Sequence, residues 1–139
     1  MPLGEGNSFF NFRMVDRNAN EINLSTFHDK DVIVVINCIT TQEVDELAPL
    51  YYKLEDSYGE NVQILCLPGN RFFYDVKGEE SRRLIDYLKE KSHCNIEDED
   101  GLTFILNNKE HKPNKETFSC VGNNLRPKEL SGEISKVLN

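Results

Sequence analysis

Residues 31–70, DVIVVINCITTQEVDELAPLYYKLEDSYGENVQILCLPGN, contain the pattern that decides the fold. The run 32–36 is entirely β-branched, which is typical of a strand covered on both faces in a parallel sheet. Val62–Leu67 is a second apolar run of strand length. Two parallel strands need a crossover between them, so the sequence predicts a β-α-β unit with parallel strands over 31–37 and Val62–Leu67.

The segment between the two strands has the periodicity of an amphipathic helix, with apolar residues three and four positions apart. The predicted buried stripe consists of Val44, Leu47, Leu50, Tyr51, Leu54 and Tyr58. Thr40 and Glu43 have the spacing of a capping box at the start of this helix. Pro49 lies inside the helix, and because the stripe continues beyond it we expect a bend rather than an end.

The remaining segments complete a single domain over 1–139 with the core order β-α-β-α-β-β-α. A β-hairpin precedes this core, and the fourth core strand is expected to run antiparallel to the third. Pro127 suits the first position of the final helix. The expected elements are a hairpin over 9–15 and 21–24, a helix over 79–92, strands over 102–106 and 116–121, and a final helix over Pro127–Leu138.

Composition excludes several classes of partner. The net charge of −8 argues against binding to nucleic acid or to anionic membrane surfaces. No apolar stretch reaches the roughly 20 residues of a membrane span, and the first residues do not resemble a signal peptide. The cysteines, Cys38, Cys66, Cys94 and Cys120, form no CxxC or zinc-type pairs. We therefore expect the cytoplasm or another reducing intracellular compartment.

Three segments carry a family resemblance: residues 15–25, the strand ending at Asn37, and residues 64–72. They resemble the glutathione peroxidase family within the thioredoxin-like superfamily. Residues 15–25, VDRNANEINLS, are similar to that family's opening hairpin, and the strand ending at Asn37 is similar to its central strand. Residues 64–72, ILCLPGNRF, resemble the family segment I-L-x-F-P-C-N-Q-F. The resemblance implies an α/β thioredoxin-like fold of the glutathione peroxidase type, with an N-terminal β-hairpin and a central mixed sheet flanked by helices.

This sequence differs from the family at the positions that carry the family's catalytic residues. The resemblance implies a nucleophilic cysteine or selenocysteine at Thr41, counted back from Pro49, or at Gln42, counted from Asn37. Neither residue is a thiol. Arg71 occupies the position of the family's glutamine, and the chain has no tryptophan. The usual peroxidatic set is therefore missing from the matching positions.

Cys38 is the thiol nearest to this turn, and it permits two readings. It is either a buried residue that continues the strand or a displaced nucleophile. The first reading predicts a non-catalytic binding or structural module without a cofactor. The alternative is a thiol-dependent peroxidase that acts through Cys38 with glutathione or thioredoxin as reductant. The sequence leaves open whether the protein is an enzyme.

The other candidate residues carry weaker signals. Cys66 is expected in the core, and Cys94 and Cys120 are expected to be surface or half-buried thiols. Cys94 follows the second helix, where the resemblance places a resolving cysteine in some thiol-dependent relatives. Three further residues, Phe72, Phe73 and Tyr74, form either a surface for a protein partner or a cluster packed on the sheet edge. The three histidines lie in separate loops without metal-ligand spacing.

Overall fold

The computed structural model describes residues 9–15, 21–37, 41–67, 79–98, 101–112, 115–123 and 125–139. Among them are two sheets and three α-helices. The strands are β1 (Arg13–Val15), β2 (Glu21–Asn23), β3 (Val32–Asn37), β4 (Val62–Leu67), β5 (Leu102–Asn107) and β6 (Thr117–Asn123). The helices are α1 (Thr41–Ser57), α2 (Glu79–Lys91) and α3 (Pro127–Leu138).

The main sheet has the order β4-β3-β5-β6 and is mixed. β3 is an interior strand that pairs parallel with β4 and antiparallel with β5, and β6 is antiparallel to β5. The predicted β-α-β unit and the predicted order of core elements are therefore confirmed. The five residues from Val32 to Ile36 are all buried, as the β-branched run indicates for a strand covered on both faces.

Helices cover both faces of this sheet. On one face α1 and α3 pack over alternate β3 side chains, including Val32 and Val34, and they bury Leu130 and Ile134 of α3. On the other face α2 packs over Ile33 and Val35, and the N-terminal segment adds Phe9 and Phe12 to the same core. The final helix thus flanks the central strand, as predicted.

The N-terminal segment is a hairpin, but its strands are shorter than predicted. β1 and β2 pair antiparallel over three residues each. Phe9–Asn11 forms a 3-10 turn instead of strand, because it buries Phe9 in the core next to α2. The return strand also ends one residue early, since Leu24–Phe27 turns into a second 3-10 segment that buries Leu24 and Phe27.

α1 runs through Pro49, so the proline does not end the helix, as predicted. Whether it bends the axis stays a prediction. The predicted stripe is wrong at Leu50, which is 49% exposed. The buried face of the second half of α1 is instead centred on Tyr51 and Glu55, and Leu50 lies about 100° away from Tyr51 around the helix. The candidate cap at Thr40 lies outside the described residues.

Candidate functional site

The site indicated by the sequence lies where β3 ends and α1 begins. β3 ends at Asn37, and Thr41 is the first residue of α1, so Thr41 and Gln42 belong to its first helical turn. A helix N-terminus carries unpaired backbone N–H groups and a partial positive charge, which favour a bound anion or a thiolate. The backbone therefore forms the element that a nucleophilic thiol would need, but this turn carries threonine and glutamine.

The remaining residues or side chains of the predicted site lie outside the described part of the structure. Cys38 and Arg71 lie outside the described residues, as do Phe72, Phe73 and Tyr74. The side chains of Thr41, Gln42 and Cys66 also lie outside the described part of the structure. Their proposed roles stay predictions that rest on the sequence and on the position of the first turn of α1.

Two cysteines from distant parts of the sequence lie side by side in the structure. Cys94 Sγ and Cys120 Sγ are 2.9 Å apart, although 26 positions separate them in the chain. Both residues are half-buried and pack against the core formed by α2, β5 and the N-terminal segment. Each was correctly expected to be a half-buried or surface thiol, but their contact was not predicted.

The pKa of the Cys120 thiol lies above its ordinary value. Burial, and next the hydrogen bond with Cys94, raise the pKa of the Cys120 thiol to about 11, from an ordinary value of 9.0. A backbone hydrogen bond from Gly122 and the charge of Lys89 act in the opposite direction, with smaller effects. Cys120 is therefore a protonated thiol at neutral pH, and a sulfur that stays protonated is a weak nucleophile.

At the opposite end of β3, hydrogen bonds join the loop before β3 to the loop after β5, and we call this cluster the clasp. The amide of buried Asn108 donates to the backbone carbonyls of His28 and Lys30, at 2.8 Å and 2.9 Å. His111 Nε2 lies 2.7 Å from Asp31 Oδ1, and this hydrogen bond is the largest cause of a raised His111 pKa. The clasp orients the start of β3 and lies at the far end of that strand from α1 Thr41.

The described residues contain no arrangement suited to a metal ion. No group of three or more His, Cys, Asp or Glu side chains within the described ranges is placed to bind one. His111 Nδ1 lies 3.3 Å from the backbone carbonyl of His28, but the His28 ring contacts the carbonyl of Ser25 and His111 Nε2 contacts Asp31. In the same part of the chain no helix is both long and apolar enough to cross a membrane.

Comparison with solved structures identifies the fold. The crystal structure of the glutathione peroxidase Trgpx in its apo form is similar, with a TM-score of 0.61 and 19% identity, over 94% of this chain and 95% of that one. The thioredoxin domain of a thiol-disulfide oxidoreductase from Bacteroides vulgatus aligns with a TM-score of 0.50 and 15% identity, over 92% and 93%. No family model and no curated protein matches the sequence.

These similarities extend over nearly the whole chain, so they concern the complete β-α-β unit as well as the elements that follow it. The mixed four-stranded sheet with helices on both faces is common to this architecture. The chain therefore has a thioredoxin-like α/β fold, the fold of the glutathione peroxidase and thiol-disulfide oxidoreductase structures that it resembles.

Proposed function

We propose that this protein is a glutathione-peroxidase-like domain that has lost peroxidase chemistry and acts as a binding or structural module. The observation that carries this proposal is the first turn of α1, which begins with Thr41 and Gln42. In the family that the sequence resembles, this turn carries the nucleophile. Threonine and glutamine side chains do not ionise near neutral pH, so neither can replace a thiolate.

The charges expected around this turn also disfavour a displaced thiolate. Glu43, Asp45 and Glu46 follow Gln42 within the first two turns of α1. Carboxylates near the N-terminus of a helix partly neutralise its partial positive charge. Their negative charges also oppose the ionisation of a nearby thiol. Cys38, just before this helix, would therefore gain less thiolate character than a cysteine before a neutral first turn.

The substitutions at the other family positions agree with this proposal. Arg71 stands where the family has glutamine, and the chain contains no tryptophan. A peroxidase needs donors placed to stabilise the developing oxyanion, and losing one such donor costs about 10² to 10³ in rate. Loss of the nucleophile together with these partners is expected to reduce peroxide turnover to background.

The module is proposed to bind a protein partner without a cofactor. Support for a partner surface comes from the sequence, where three consecutive aromatic residues, Phe72, Phe73 and Tyr74, follow Arg71 and the predicted turn over 68–70. We propose a reducing intracellular compartment, since the cysteine spacing matches neither a disulfide framework nor a zinc site.

A peroxide-consumption assay tests the loss of chemistry. The 139-residue protein is given hydrogen peroxide or an organic hydroperoxide, with glutathione and its reductase or with thioredoxin and its reductase. We expect no reductant-dependent turnover above the rate of the buffer. Sustained turnover with either reductant would overturn the proposal. An active glutathione peroxidase in the same buffers is the control for the coupling enzymes.

A further inference from the structure

We propose that Cys94 and Cys120 form a redox-active dithiol, which exchange with a low-molecular-weight disulfide converts reversibly to an intramolecular disulfide. The two sulfur atoms are 2.9 Å apart. A disulfide bond is about 2.05 Å long, so the bond requires an approach of about 0.9 Å. This pair is separate from the first turn of α1, and the proposal does not depend on the function proposed for that turn.

The position of Cys94 is set by the end of α2. The N–H of Cys94 donates to the carbonyl of Lys89 at 2.9 Å, and the N–H of His93 donates to the carbonyl of Glu90 at 3.2 Å. These are the two hydrogen bonds of a Schellman motif, with His93 in the left-handed conformation at φ 54°. The motif stops the helix and directs Cys94 toward the sheet.

The position of Cys120 is set by a bulge in the edge strand β6. Phe104 pairs with Cys120 while Thr103 pairs with Gly122, so one additional residue, Val121, lies between the two pairs in β6. Gly122 has φ 121°, a conformation that favours glycine, and its backbone hydrogen-bonds to the Cys120 sulfur. Bulges redirect side chains at sheet edges and next to functional sites.

The surroundings of the pair suit reversible oxidation. Both cysteines are half-buried, so a small disulfide can reach the pair from solvent while the core holds the backbone of each residue. Burial and the contact with Cys94 keep Cys120 protonated at neutral pH. In this proposal the external disulfide reacts at Cys94, and Cys120 completes the bond.

The exchange balances with glutathione disulfide as the oxidant. Cys94 loses its proton to water, and its thiolate attacks one sulfur of glutathione disulfide, which releases one glutathione thiolate and leaves a mixed disulfide on Cys94. Cys120 then loses its proton and attacks the Cys94 sulfur, which releases the second glutathione thiolate. Two protein thiols become one disulfide, glutathione disulfide gains two electrons, and the two protons complete two glutathione molecules.

The sequence makes the site easy to map, because trypsin separates all four cysteines. Cleavage after lysine and arginine, except before proline, places them in fragments 31–53, 54–71, 92–109 and 116–128. The full chain is equilibrated with glutathione and glutathione disulfide over a range of ratios, alkylated with N-ethylmaleimide and digested without reductant. Mass spectrometry then measures which fragments are joined and which are alkylated.

We expect fragment 92–109 to be joined to fragment 116–128 in the oxidised samples, and dithiothreitol to restore alkylation of both. C94S and C120S should each abolish this product, whereas C66S, the matched control, should retain it. The native protein decides the result even if a variant fails to fold. Alkylation of both thiols at every ratio would overturn the proposal. Stable glutathione adducts without the joined fragments, or a disulfide that includes fragment 31–53, would do so as well.

Discussion

The carboxylate of Glu55 in α1 accepts a hydrogen bond from the backbone N–H of Ile64, and the N–O distance is 2.8 Å. The same Oε1 accepts from the amide of Gln63 at 2.9 Å. β4 lies at the edge of the main sheet as the described residues form it, so within that sheet the outward N–H of Ile64 faces no further strand. Glu55 is only 7% exposed. Its carboxylate pairs the N–H of Ile64 at this sheet edge, whereas an apolar side chain at position 55 would offer that N–H no acceptor.

Removing this carboxylate should destabilise the fold. Glu55→Ala leaves a buried backbone N–H and a buried amide without that acceptor, and we expect a loss of about 2 kcal/mol in the free energy of unfolding. Glu55→Gln retains an acceptor oxygen and should lose about half as much. Urea denaturation measures both, with the exposed Glu60→Ala as control. A Glu55→Ala loss equal to that of the control would contradict this role.

His111 should make stability depend on pH. Its hydrogen bond with Asp31 raises the pKa of His111 above 6.5 in the folded protein. Stabilisation by protonated His111 is therefore fully present below pH 6.5 and is lost as pH rises through the higher folded pKa. His111→Asn, which tolerates the left-handed φ of 52°, should lower the melting temperature at pH 5.5 more than at pH 8.5.

The control for this pH dependence is Asp31→Asn, which removes the charge that His111 contacts. In the Asp31→Asn background, the effect of His111→Asn should vary much less with pH. NMR titration of the His111 ring gives the second readout. A His111 pKa at or below 6.5 in the native protein would show that the hydrogen bond does not act as described.

The Schellman motif after α2 offers a stabilising substitution. His93 holds a left-handed φ of 54°, which costs a residue with a Cβ roughly 1 kcal/mol. His93→Gly should raise the free energy of unfolding by up to about 1 kcal/mol, because glycine adopts this conformation without that cost. His28→Gly is a suitable control, since His28 has φ −66° and glycine offers no relief there. A His93→Gly protein less stable than the native one would contradict this prediction.

Oxidation of the proposed dithiol should stabilise the protein. A bond between Cys94 and Cys120 closes a loop of 26 positions in the unfolded chain. Chain-entropy arguments give about 3.5 kcal/mol for a loop of this size when the native geometry is unstrained. Urea denaturation of the oxidised protein, compared with the reduced protein and with oxidised C94S, measures this difference. An oxidised protein no more stable than the reduced one would show that the bond strains the fold.

The sequence predicted the elements whose signal is local. The β-branched run of β3 and the crossover before Val62–Leu67 are sufficient to predict a buried parallel pair, and the structure confirms both. α2 was predicted almost to its last residue, because Leu84, Ile85 and Leu88 mark one buried face between charged ones. Periodicity determines which face of an element is buried wherever the apolar spacing is regular.

The failures involve contacts between distant segments. Leu50 fits the apolar spacing of α1, but the helix turns Glu55 inward to satisfy the edge of β4, and this need is invisible in the helix sequence. The contact of Cys94 with Cys120 requires the path of the chain after α2 and the register of β6 on β5. The spacing of residues in the sequence determines neither the chain path nor the strand register. The contact between these two cysteines was therefore not predictable from their positions in the sequence.

The loss of peroxidase chemistry at the first turn of α1 is the central claim. Steady-state peroxide consumption by the native protein and by Cys38→Ser, with glutathione and with thioredoxin as reductants, tests it most directly. We predict that both proteins remain at the background rate, because Thr41 and Gln42 supply no thiolate at the helix N-terminus. Rapid turnover by the native protein that Cys38→Ser abolishes would contradict this account and establish a peroxidase that acts through Cys38.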